Sequence, residues 1–143
     1  DSSFLGILVI SYFHSDFLDD RDLTLVIGSF GASAVLVYGA VNSPLAQPRN
    51  LIGGHILSAI IGVISFKLFH SHILLASAFS VATSILVMQL TLTLHPPGGA
   101  TALIAVIGSP QIHDLGFLYV FVPFTSGAFI LLVIAVIVNN IPK

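Results

Sequence analysis

His95-Pro96-Pro97-Gly98-Gly99-Ala100-Thr101 sets an imidazole, a pair of prolines, a pair of glycines and a hydroxyl side by side in an apolar tract. Prolines remove backbone donors and fix φ, while glycines accept almost any φ, so a transmembrane helix has to break here. Ala100 to Ile107 is apolar again and can be helical, which starts a short helix at Gly98 or Gly99 with free N–H groups aimed back at His95. At membrane depth, irregular backbone is tolerated only where it lines a cavity or is buried in protein. A helix N-terminus in that setting attracts an anion through its unpaired N–H groups and its dipole. The chemistry expected is anion binding; the plainer alternative is a proline kink that only shapes a bundle.

Other side chains add to or limit that chemistry. Ionisable groups at membrane depth are functional by default, which singles out His95 and His55. His55 follows Gly53-Gly54 at the start of a span, so it either lines a vestibule or hydrogen-bonds across helices. Arg49, next to Asn50 in a polar loop, either guides an anion inward for access or gating or marks the membrane interface. Cysteine is absent, which excludes disulfide and thiolate chemistry. His70 and His72 read as an interfacial turn rather than a metal site. Ser29, Ser33, His55 and His95 make no recognisable protease arrangement, so no catalytic residue, metal or cofactor is assigned.

Composition says what must position these groups. The chain is 56% hydrophobic and only 7% charged, with a mean hydropathy of +1.07, against about 25% charged in soluble domains. That makes it an integral membrane protein. A formal net charge of −2 gives no basic footprint for nucleic acid. The 143 residues suffice for a single all-α membrane domain, 1–143, of about five or six segments. The start, Asp1-Ser2-Ser3, has no basic n-region, and Phe4 to Phe13 is short for a span, so it is either a first helix truncated by missing upstream residues or a short one. His14 to Asp22 reads as a solvated acidic loop and Pro44 to Asn50 as a proline-punctuated one. Leu51 to Phe69 is a span whose Gly53, Gly54, Ser58, Ala59 and Gly62 let helices approach closely. Ile73 to about Gln89 and Phe117 to Val138 are further spans, the last bent near Pro123, with Ser109 to Gly116 a loop.

The chain also resembles itself. Leu23-Thr24-Leu25 leads through Gly31-Ala32-Ser33-Ala34 to Ser43-Pro44, and Leu90-Thr91-Leu92 leads through Gly99-Ala100-Thr101-Ala102 to Ser109-Pro110. Repeats over about 4–69 and 73–138 would each hold three crossings, an odd number, and so have opposite topology, as in many secondary transporters. Arg21 and Lys67 then share one side and Arg49 and Lys143 the other, which leaves orientation open. Two segments are expected to be broken, each a short extended piece plus a half-helix: Leu90–Leu94 with Gly99–Ile107, and Leu23–Ser29 with Gly31–Ala40. The competing form is a continuous helix from Ile73 to Leu94 and a re-entrant Gly99–Gly108 segment. In the expected form, backbone N–H groups of Gly31, Ala32 and Ser33, next to Phe30, meet those of Gly98, Gly99, Ala100 and Thr101 near the midplane. The hydroxyls of Ser33 and Thr101 and the ring of His95 add donors.

His95-Pro96-Pro97-Gly98-Gly99-Ala100-Thr101-Ala102, Phe30-Gly31-Ala32-Ser33-Ala34 and the run Ser43 to His55 together resemble the HPP family of integral membrane proteins. The resemblance implies nitrite as the transported anion, and a bacterial or cyanobacterial inner membrane or a chloroplast envelope as location. The leading expectation is a transporter or channel for a small monovalent anion, not an enzyme, working in the lipid bilayer as a homo-oligomer. The alternative is a membrane sensor or scaffold that binds a ligand without moving it.

Overall fold

A computed structural model describes residues 2–141. Lys143, which entered the charge placement above, lies outside the described residues. Helix α1 spans Ser2–His14, α2 spans Asp20–Ala34 and runs on through a π turn to Gly39, α3 spans Pro48–Phe69 and α4 Ile73–Leu90. Helices α5 (Pro97–Ile107) and α6 (Pro110–Leu115) follow, and α7 (Ser126–Asn139) is preceded by a π turn over Val120–Thr125. Four stretches are long and apolar enough to cross a membrane: Asp20–Gly39, Pro48–Phe69, Ile73–Leu90 and Val120–Asn139. With the shorter α1 and α5, six segments run through the bundle, and no strand occurs among the described residues.

Hydrogen bonds fix the directions. At one end, Arg49 donates to Thr91 O and Asn50 to Leu94 O, and Asn139 reaches Val37 O. At the other, Ser109 donates to Asp22, Gln111 donates to Phe17 O, and His113 stacks on Phe66. Helices α1, α3 and α5 therefore run one way and α2, α4 and α7 the other. Helix α3 is central, packed against α4 and α5 on one flank and the Val120–Thr125 turn on the other, while α1 packs on α2 and α7. The small residues of α3 do what their size suggests. A Cβ at Gly62 would lie 2.5 Å from the Ala102 carbonyl, so α3 and α5 nearly touch there.

The extended pieces expected around the broken elements are not there. Helix α4 continues through Leu90 and ends in a reversal at Leu92, whose φ is 56°. Thr93 N–H bonds Met88 O and Leu92 N–H bonds Gln89 O, the paired bonds of a Schellman end. Every backbone donor needs a partner in lipid, and a helix keeps its donors satisfied where a lone strand could not. The competing reading is the closer one, with the helix ending a turn earlier.

Helix α2 is likewise continuous across Leu23–Ser29 and Gly31, because it has a firm start and no proline inside. Asp19 caps it by accepting from Asp22 N–H at 2.8 Å, and Asp20 and Asp22 sit at the positive end of its dipole. The acidic loop is not wholly solvated. Asp22 is fully buried, its carboxylate accepting from the Ser109 backbone N–H at 3.0 Å and from the Ser109 hydroxyl. Nor is Ser109–Gly116 a loop: Ser109 caps α6, with Pro110 in its first turn. The last span is indeed bent by Pro123, where Val122 leaves helical geometry.

Candidate functional site

Three helices and the α4–α5 connector bring their polar side chains to one place. Ser29 and Ser33 lie one turn apart on α2, a spacing that puts both on the same face. His55 comes from the second turn of α3, Thr101 from the first turns of α5, and His95 from the connector just before α5. His95 reaches the cluster because Gly54 lets the connector lie against α3; a Cβ at Gly54 would stand 2.5 Å from His95 Cβ. All five residues are at most 2% exposed.

The cluster is a chain of short contacts. Ser33 Oγ stands 2.9 Å from Nε2 of His55 and 2.9 Å from Nε2 of His95. His55 Nδ1 is 2.8 Å from Thr101 Oγ1, and His95 Nδ1 is 2.9 Å from the Leu45 carbonyl. Ser29 Oγ lies 3.1 Å from Pro97 O and 3.2 Å from Thr101 Oγ1. Tyr119 O–H donates to Thr101 O at 2.6 Å. Phe30 and Phe124 face the His55 ring, with centroids 5.1 and 5.6 Å away. Among the described residues no buried side-chain nitrogen or oxygen lacks a partner, as a polar network in an apolar bundle requires.

Several predicted site residues meet here: His95, Thr101, Ser33, His55 and, through its ring, Phe30. Others do not. Gly31, Ala32 and Ser33 lie inside α2 rather than at a helix start, so their N–H groups are not the free donors expected. Ala32 and Ala100 face outward. Helix α5 does begin at the Pro-Gly break, but Gly98 N–H is spent on His95 O at 2.8 Å and Gly99 N–H on Pro96 O at 3.0 Å. Gly99 points at Val81 of α4, not at the cluster, whereas Gly98 is wedged against Ser58, Met88 and Gly54. Of the two roles expected for His55, the structure shows the hydrogen bonds across helices, to Ser33 of α2 and Thr101 of α5, and the ring is buried. Arg49 and Asn50 hold the connector by its carbonyls, at 2.6 and 2.8 Å. Ser29, Tyr119, Phe124 and the Leu45 carbonyl were missed as members. Only Ser29 left a signal, its position one helical turn before Ser33.

The arrangement offers hydroxyl and imidazole groups that can donate, accept and pass protons. It is closed at both ends. Towards α6, a cavity of about 50 Å³ is lined by Lys67, Ala105, His113 and Tyr119 and by none of the five cluster residues. Towards the other end, His95 lies beneath exposed Pro96 and half-buried Leu45.

The sequence pattern of the HPP, transmembrane region, matches residues 2–143. The chain belongs to the HPP family. Two transmembrane proteins of Dictyostelium discoideum resemble it, one 50% and the other 46% identical, each over 99% of this chain. The match takes up 50% and 46% of those proteins, so the chain spans about half the length of the curated relatives it matches. No solved structure matches. Family and apolar helices together make this HPP chain an integral membrane protein.

Proposed function

We propose that this HPP domain moves a small monovalent anion across the bilayer, with nitrite as the favoured substrate and the Ser29–Ser33–His55–His95–Thr101 cluster as its binding site. The observation that carries the reading is the burial of two histidines and three hydroxyls in one mutually bonded cluster beside the break between α4 and α5. Such groups are costly at membrane depth and are kept where an ion or proton passes. The site has donors and no carboxylate among its hydrogen-bond partners, which favours an anion over a cation. The positive end of the α5 dipole adds to this even with its first N–H groups spent. Nitrite in particular rests on the resemblance of the His95–Ala102 and Ser43–His55 stretches to the family. The alternating helix directions suit paired units of opposite topology, the usual plan of secondary transporters.

In this reading the present conformation is a closed one. An anion entering the cluster takes over hydroxyl and ring donors now given to neighbours, and rearrangement of the connector admits it. The domain works as a homo-oligomer and is not an enzyme. The relatives are from Dictyostelium discoideum; a bacterial or chloroplast setting rests on the family resemblance. The test is nitrite uptake by proteoliposomes against protein-free vesicles. Saturable, protein-dependent uptake is expected. Binding without uptake would favour a sensor or scaffold, and neither binding nor uptake would overturn the assignment.

A further inference from the structure

We infer that Thr101, His55, Ser33 and His95 form an oriented proton relay, with Ser33 as the bridge, that carries a proton together with the anion. The inference rests on the transport reading for its coupling, but its geometry stands alone. A backbone carbonyl can only accept, so His95 Nδ1 donates to Leu45 O. In a neutral ring the other nitrogen then accepts, and only Ser33 is in place to donate to His95 Nε2. A serine has a single hydroxyl proton, and the 2.9 Å contact to His95 Nε2 takes it in preference to the Ser29 carbonyl at 3.3 Å, so Ser33 Oγ accepts from His55, which puts the His55 proton on Nε2. His55 Nδ1 is left to accept from Thr101 Oγ1. One fixed carbonyl thus sets the polarity of the whole chain, and every bond points from Thr101 towards Leu45.

The chain can pass a proton with its atoms balanced. An entering proton binds Thr101 Oγ1 as the original Thr101 hydroxyl proton passes to His55 Nδ1, which makes an imidazolium. The His55 Nε2–H bond breaks as a new Ser33 O–H bond forms, and the original Ser33 proton moves to His95 Nε2. His95 Nδ1–H then gives up its proton to water once rearrangement of the connector opens the Leu45 end. One proton enters and one leaves, and each ring is left in its other tautomer; turning the Ser33 hydroxyl, together with proton exchange at both rings while the cluster is open to water, restores the starting state. The titratable and charged groups around the chain are few. Tyr119 touches Thr101 through its backbone carbonyl, Arg49 lies out at the connector, and Lys67 and His113 lie beyond Tyr119. No carboxylate bonds any member of the relay among the described residues, so no fixed negative charge traps the proton.

The test joins two readouts. Proteoliposomes loaded with a pH dye, voltage-clamped with potassium and valinomycin, receive nitrite at pH about 7.5, near the working range of imidazole. Protein-free vesicles correct for nitrous acid leakage. Native protein is expected to acidify the interior in step with nitrite uptake. Ser33→Ala is expected to lose the acidification at least about tenfold, and Ser33→Thr, which keeps a hydroxyl, to restore most of it. Nitrite uptake without protein-dependent acidification would overturn the relay and leave transport standing. The second readout needs no transport: ¹⁵N spectra of the histidine rings should find the proton on Nε2 of His55 and on Nδ1 of His95. Either proton on the opposite nitrogen would overturn the relay even if uptake is absent.

Discussion

Gly31-Ala32-Ser33-Ala34 and Gly99-Ala100-Thr101-Ala102 are nearly the same words in two different helices. The first lies at the end of an unbroken α2; the second opens the half-helix α5. The small residues are therefore not what breaks a helix in this fold. Pro96 and Pro97 break it, and at the aligned place α2 has Ser29 and Phe30, which keep their backbone donors. What the two copies share is their hydroxyl. Ser33 and Thr101 bracket His55, one at each ring nitrogen. The two stretches make like polar contacts to His55 from two backbones that differ.

The largest expected effect separates tight from open faces. Gly62→Leu pushes directly into α5 and should cost about 3 kcal/mol or more, read as loss of thermal stability in detergent. Gly31→Leu meets nothing within 4 Å and should stay within about 0.5 kcal/mol. Equal losses at both would mean that α2 is as closely packed as α5. Moving the break tests the role of proline next: Ser29→Pro should destabilise α2 by about 3 kcal/mol, visible as lost helicity and a lower midpoint. An unchanged midpoint would show that α2 is already broken at that point.

A smaller loss is expected at the start of α2. Asp22→Ala removes the carboxylate that accepts from Ser109, at a cost of about 2 kcal/mol by the same melting measurement. No loss would leave Asp22 in a solvated loop. The smallest effect concerns Gly99, where the sequence pointed to a filled anion site. With Val81 as its nearest neighbour at 3.9 Å, Gly99→Leu should keep nitrite uptake within about threefold, whereas Gly98→Leu, against Ser58 and Met88, should lose it.

Much of this was legible. The His95–Gly99 run announced the break before α5, composition announced the membrane, and Gly54 and Gly62 announced the close approaches of α3. His55 is legible as a residue of a vestibule or of cross-helix hydrogen bonds. His95, Ser33 and Thr101 are legible as candidates, but as parts of a midplane cavity lined by helix ends. That picture failed for a definite reason. A helix N-terminus has free donors only if no nearby carbonyl takes them, and the carbonyls of His95 and Pro96 do. The alternation in Leu90–Leu94 suggested a strand, but five residues cannot outweigh the hydrogen bonds kept by ending α4 in a capped turn. Asp22 looked solvated because sequence shows charge, not the Ser109 donors that fold back to meet it.

The central claim is that residues of α2 and α5 act as one site through His55. Nitrite uptake by Ser33→Ala, Thr101→Val and the double variant tests it directly, with melting curves confirming that each folds. Each single variant is expected to lose at least about tenfold in uptake, and the double no more than the worse single, because the two hydroxyls serve one chain. Native uptake in both folded single variants would contradict the account.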